Sequence, residues 1–202
     1  MNTKTCILVT AIAGLASSAV AQESFSLSIV GMPTTVDLSG GSASFEFDVV
    51  GDASVGTHML GGSFAIETNS NWVLDMSWSS ASWDAFPTDG GDAGNGNYNQ
   101  VIFGQLVIPG VPPFDVPAAG SELGSVIGTF SVTLYEINSG RIDFNIIEQS
   151  PFSLEVLDID TGETYQSSSD TLTLNGASII VPAPAGLALL GVSGLICGRR
   201  RR

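Results

Sequence analysis

Twenty of the 202 residues are Asp or Glu and six are Lys or Arg, a formal charge of −14. The basic residues Lys4 and Arg199 to Arg202 lie at the two ends, so the body sets Arg141 alone against all 20 carboxylates, a charge of about −19. Such a surface repels phosphate backbones and anionic lipid, which excludes nucleic acid as a partner of the body and leaves oxygen-seeking divalent cations as candidates.

At the N-terminus, Lys4 supplies a positive charge, Ile7 to Leu15 an apolar run, and Ala19-Val20-Ala21 a small-residue cleavage site. Together they predict a signal helix over residues 1–21, removed by signal peptidase before Gln22, and hence an exported chain. Both cysteines, Cys6 and Cys197, fall outside the body. Cysteine catalysis, Cys-ligated zinc and a disulfide are therefore excluded between residues 22 and 180. A body of that length buries enough apolar surface without a cross-link. The single histidine, His58, excludes paired-His metal sites and reads as a solvated loop residue after Gly56.

From Phe25 onward the body alternates apolar and polar residues, the period-2 signature of half-buried strands. Strands are expected at 25–30, 36–38, 43–50, 60–68, 72–78, 101–108, 125–135, 141–147, 152–157, 165–167 and 171–180. Gly40-Gly41, Asn69-Ser70-Asn71, Asn138-Ser139-Gly140 and Asp160-Thr161-Gly162 supply turns. Residues 79–99 form a long flexible loop, and Pro109 to Gly120 a second loop whose prolines fit no central strand. No stretch of the body keeps a helical apolar period. The expected core comprises Phe45, Phe47, Phe64, Ile66, Val101, Phe103, Ile127, Phe130, Val132, Phe144 and Ile146. The fold class is all-β: two packed antiparallel sheets over residues 22–180. Early strands, a middle loop after a Trp-containing hairpin and the late Gly-x-Phe-x-Val-x-Leu strand (Gly128 to Leu134) resemble cohesin-like and carbohydrate-binding jelly-roll sandwiches.

The last segment, 181–202, reads as an address. Val181-Pro182-Ala183-Pro184-Ala185 is a stiff joint, since each proline fixes its own φ and extends the residue before it. Gly186 to Cys197 carries no charge and spans roughly 20 Å as an anchor helix, short of the ~30 Å hydrocarbon core. Arg199, Arg200, Arg201 and Arg202 then hold the cytoplasmic side of the inner membrane. This order resembles the PEP-CTERM sorting signal of Gram-negative bacteria: a Pro-x-Pro motif, a short apolar helix and a terminal Arg cluster. The resemblance implies processing by an exosortase-type membrane protease, then surface attachment or release. Ala183 departs from that family, which has Glu between the prolines. An uncleaved membrane anchor is the other reading.

Three chemistries are candidates for the body. Asp84, Asp89, Asp92 and Asn95, with Asn97, offer oxygens amid glycines and suggest a Ca2+ loop. The pattern occurs once, without the repeats of calcium-binding arrays, and a solvated acidic loop is preferred. Asp158 to Glu163 echoes a calcium loop but reads better as a hairpin turn. Trp72, Trp78, Trp83 and Tyr98 suggest a polysaccharide-stacking platform, with Trp83 and Tyr98 the better contacts. Trp72, Leu74, Met76 and Trp78 share one strand face, and core or loop packing is preferred to the platform reading. Paired carboxylates could support hydrolysis, yet no nucleophile-elbow, zinc-protease or phosphate-loop motif is present. No catalytic residue and no cofactor is assigned. The expectation is an exported, surface-anchored or surface-released non-catalytic protein of the envelope or extracellular matrix. A carbohydrate-binding module is the alternative, and a carboxylate-dependent hydrolase the third.

Overall fold

The computed structural model of the protein describes residues 22–135 and 139–183. Ala19, Ala21, Pro184 and Arg199 to Arg202 lie outside the described residues, as do the expected signal and anchor helices. The described chain is built from twelve strands and one short 3-10 turn. They are β1 (Ser24–Val30), β2 (Ser42–Ala53), β3 (His58–Thr68), β4 (Val73–Ser80), β5 (Thr88–Asp89) and β6 (Tyr98–Gly104). Then follow β7 (Val126–Tyr135), β8 (Gly140–Glu148), β9 (Glu155–Leu157), β10 (Thr164–Gln166), β11 (Thr171–Asn175) and β12 (Ala177–Val181).

Alternation explains the elements. In β1, Phe25, Leu27 and Ile29 are buried while Ser26 and Ser28 face outward. In β7, Ile127, Phe130, Val132 and Leu134 face the core. The strands form a five-stranded sheet, β11-β1-β2-β7-β4, and a seven-stranded sheet. In the latter the order is β10-β9-β3-β6-β5, with β8 also pairing β3 and β12 pairing β8. Strands β8 and β9 share one flank of β3, and the chain leaves that flank between them over Gln149 to Leu154. The two sheets close over one core.

An aromatic cluster joins the sheets. Phe47 stacks on Phe130 with ring centres 5.2 Å apart, and Phe64 meets Trp78 edge-on at 5.6 Å. Each such ring contributes about 1.5–3 kcal/mol by burial alone. Gly128, the first residue of the Gly-x-Phe-x-Val-x-Leu strand, leaves room for Trp78. A Cβ there would lie 2.3 Å from the indole ring.

The structure departs from the expected strands at six places, one being the expected 152–157 strand, which is confined to Glu155–Leu157 and leaves Phe152 outside it. Pairing is antiparallel except that β1 and β11 run parallel, because the two come from opposite ends of the body and no hairpin joins them. A bulge between Val73 and Asp75 breaks the single face expected of Trp72, Leu74, Met76 and Trp78. Val73 and Met76 are buried, Trp72 and Leu74 are exposed, and Trp78 is half-buried against Phe130. Gly176 divides the expected 171–180 strand, so β11 joins one sheet and β12 the other. Residues 36–38 form no strand, and only Thr35 bridges, parallel, to Ile180. The expected 101–108 strand starts earlier, at Tyr98, and ends at Gly104. Of the expected core, ten residues are buried; Phe45 is half-buried and packs edge-on against Phe144.

Candidate functional site

Two of the sugar-platform residues lie in the core. Trp83 is 4 % exposed, meets Phe103 edge-on at 6.0 Å, and donates its indole N–H to Val126 O at 3.0 Å. Tyr98 is 3 % exposed and packs edge-on against Phe130 at 5.0 Å. Its hydroxyl donates to Asp89 Oδ1. Burial, then the hydrogen bond to Asp89, pushes that phenol well above the ordinary tyrosine range. Neither ring is available to stack on a sugar, which corrects the platform expectation. The loop folds back and closes the sandwich, so the aromatics beside it take the packing preferred above.

The acidic loop is likewise pinned to the structure. Asp84 Oδ1 accepts from Phe86 N at 3.1 Å and Gly104 N at 2.9 Å. Asp89 Oδ1 accepts from Gly91 N at 2.8 Å. Asp92 accepts from Gly94 N with one oxygen and from Met76 N, at 2.7 Å, with the other. Asn95 Oδ1 accepts from Asn97 N, and Asn97 Oδ1 accepts from Thr68 N at 2.8 Å. Gly96, at φ +87, lets this loop approach β3 closely, since a Cβ there would lie 2.0 Å from Ser70 O. The 79–99 segment is therefore ordered, in contrast to the flexible loop expected.

These side chains satisfy backbone donors and do not converge. Among the described residues, no three His, Cys, Asp or Glu side chains come together to hold a metal ion. The Ca2+ candidates Asp84, Asp89, Asp92 and Asn95 act instead as turn-forming acceptors. Met76 belongs to the edge strand β4, so Asp92 also blocks that edge against further strand pairing. The wholly buried polar side chains are those of Ser63, Ser121 and Ser167, so the described residues contain no buried carboxylate pair. Asp84 Oδ2 is out of solvent without a partner. His58 is half-buried, with its Nδ1 2.9 Å from Thr57 Oγ1.

The outer face of the seven-stranded sheet carries what the sequence reading missed. Here Phe86 and Phe152 are 58 % and 53 % exposed, on either side of a groove of about 200 Å³. Its floor includes Leu60, Gly61 and Gly62 of β3 and Ile102 and Gly104 of β6; Gln105 and Glu155 stand at the margin. The backbone holding each ring is fixed. Phe86 N donates to Gly104 O at 3.2 Å and to Asp84 Oδ1. Ser63 N donates to Phe152 O at 3.1 Å, and Ser63 Oγ donates to the same carbonyl at 2.8 Å. Two aromatic rings are thus displayed on loop backbone tied by hydrogen bonds to β6 and β3, with little ordering left to do when something covers them. The sequence did carry a signal. Each phenylalanine neighbours a proline, Pro87 or Pro151, which breaks the strand alternation that would bury it.

With the strand order established, the chain can be set beside known structures. It superposes on a type I cohesin–dockerin complex from Clostridium thermocellum with a TM-score of 0.51 and 12 % identity, over 79 % of this chain and 99 % of that one. The body folds like a cohesin. The seventh ScaB type I cohesin from Pseudobacteroides cellulosolvens matches with a TM-score of 0.49 at 12 % identity, over 81 % of this chain and 94 % of that chain. A cohesin module from a Clostridium perfringens family 33 glycoside hydrolase gives 0.47 at 12 % identity, over 81 % and 98 %. No family model and no curated protein matches the chain. At this identity the likeness is one of fold, and function has to be argued from the cohesin-like body's own residues.

Of the expected sorting motif, Val181 is the buried last residue of β12, paired with Gly140, while Pro182 and Ala183 are exposed. Among the described residues, no helix is long and apolar enough to cross a membrane.

Proposed function

We propose that the chain is an exported, non-catalytic cohesin-like module that binds a protein partner through the outer face of its seven-stranded sheet. The observation that carries this reading is the pair Phe86 and Phe152, tied to β6 and β3 and exposed above an apolar groove. Aromatic rings on a fixed backbone are the usual anchors of protein interfaces. Cohesin in the Clostridium thermocellum structure is itself complexed with dockerin, a protein partner, which supports the same use of the sandwich here.

The ends of the chain supply the address in this proposal. Residues 1–21 act as a signal peptide. Residues 182–202 tether the module to the inner membrane, or deliver it to the surface or matrix after exosortase-type cleavage near Pro182-Ala183-Pro184. Cell fractionation and intact-mass measurement test the address: the expected product starts at Gln22 and is found in the envelope or medium. A full-length cytosolic chain retaining Met1 and Arg202 would overturn it. Partner binding is tested by affinity recovery of the module from its own cells. A stoichiometric protein partner is expected with the native chain and lost with Phe86→Asp/Phe152→Asp; recovery unchanged by the double variant contradicts the docking face.

A further inference from the structure

Directly after the groove, the chain from Gln105 to Pro117 forms a closed, stiff loop. Gln105 clamps its base, donating from Nε2 to Met59 O at 2.6 Å and accepting from Ala118 N at 2.8 Å. Within it, Ile108 N donates to Phe114 O at 2.6 Å, Val111 N to Ile108 O at 3.0 Å and Phe114 N to Val111 O at 2.8 Å. Pro109, Pro112, Pro113 and Pro117 restrict the remaining backbone. Leu106, Ile108, Val111, Phe114 and Val116 are each more than a third exposed, Val116 most at 63 %. Single exposed apolar residues are ordinary; five on one rigid loop mark an interaction surface.

Charge around the loop specifies the partner. Gly104 pairs with Gly61 and His58 pairs with Leu157, so the loop and the β9–β10 turn lie at the same end of the sandwich. Glu122 bridges His58 at that end too. Asp115, Glu122, Asp158, Asp160 and Glu163 therefore gather around or beside an apolar loop that carries no cation. Arg141, the only cation among the described residues outside the single histidine, pairs with Ile180 at the opposite end. The chain also leaves β12 there, at Val181, so a tether would not obstruct the loop.

We infer that this loop, continuing the groove, docks a protein segment with an apolar centre and flanking Lys or Arg side chains. The inference rests on the partner-binding reading and adds the chemistry of the partner. Anionic lipid and a second copy of the chain both meet like charge at this end.

The test is to pan a random peptide display library against the protein purified from its own cells. Recovered peptides should share an apolar centre with basic flanks. They should bind about tenfold more weakly at high salt and to Val111→Asp/Val116→Asp, and normally to Ile180→Asp at the opposite end. If the double variant does not fold, Val116→Asp alone serves, its side chain being the most exposed. Peptides with neutral or acidic flanks, no enrichment, or capture of zwitterionic vesicles in place of peptides would overturn the inference. Binding kept by the loop variant but lost by Phe152→Asp also overturns it while leaving the partner-binding reading intact. Loss of the native partner with Phe86→Asp/Phe152→Asp, alongside failed panning, separates the two in the same way.

Discussion

Two loops of this sandwich invert what their compositions suggest. The segment from Asp84 to Asn97 is rich in carboxylates and amides, the composition of a ligand site, yet those groups are spent on backbone N–H donors of β3, β4 and β6 and of the loop itself. The segment from Gln105 to Pro117 has one charge and looks like a spacer, yet it holds its apolar side chains in water. Unpaired backbone donors near a core recruit nearby acceptors strongly, because leaving them unmade costs about 1–3 kcal/mol each. A loop with no such debt and a proline-fixed backbone can afford to display its side chains.

The comparison can be broken most severely at Trp83. Trp83→Ala should cost about 3–5 kcal/mol in urea unfolding, because it empties core space beneath the acidic loop. A cost under about 1 kcal/mol would mean that the loop does not close the core. Asp92→Ala should cost about 1–3 kcal/mol, since it strands the N–H of the buried Met76 on an edge strand. A neutral result would return Asp92 to the list of free ligands.

Tyr98→Phe sharpens the comparison through pH. The folded chain holds the phenol proton more tightly than the unfolded one, whose pKa is about 10. The stability tied to that proton is fully present below about pH 10 and is lost as pH rises beyond it. Wild-type stability should therefore fall above pH 10, and Tyr98→Phe should flatten the fall after a loss of about 1 kcal/mol at neutral pH. A parallel decline in both proteins would assign the effect to other groups. Removal of Ca2+ with a chelator should leave the melting midpoint unchanged; a clear drop would show that a cation had been bound to the folded state. Val116→Asp should change stability by no more than about 0.5 kcal/mol, as expected of an exposed residue with no structural duty.

Much of the architecture was legible in the alternation, because a strand with one buried face must repeat every second residue. Phe25, Leu27 and Ile29, or Phe130, Val132 and Leu134, announce their side of the sheet without any tertiary information. What the alternation could not show was where a strand changes allegiance. The break at Gly176 sends β11 to one sheet and β12 to the other, while the bulge at Val73 to Asp75 switches the buried face within one sheet. The parallel β1–β11 pair depends on contacts between chain ends that share no local signal. The site was less legible still. Whether a carboxylate is free depends on which amide lies opposite it, and Asp92 meets Met76 only after folding. The proline neighbours of Phe86 and Phe152 were the one local hint that those rings leave the core.

The most direct measurement is site-specific photocrosslinking in living cells from position 152, with the exposed position 46 on β2 of the five-stranded sheet as the control. The proposal predicts a discrete protein adduct in the envelope or medium fraction from position 152 and none from position 46. Equal labelling from both positions, or no adduct from position 152, would contradict a dedicated docking face on the seven-stranded sheet.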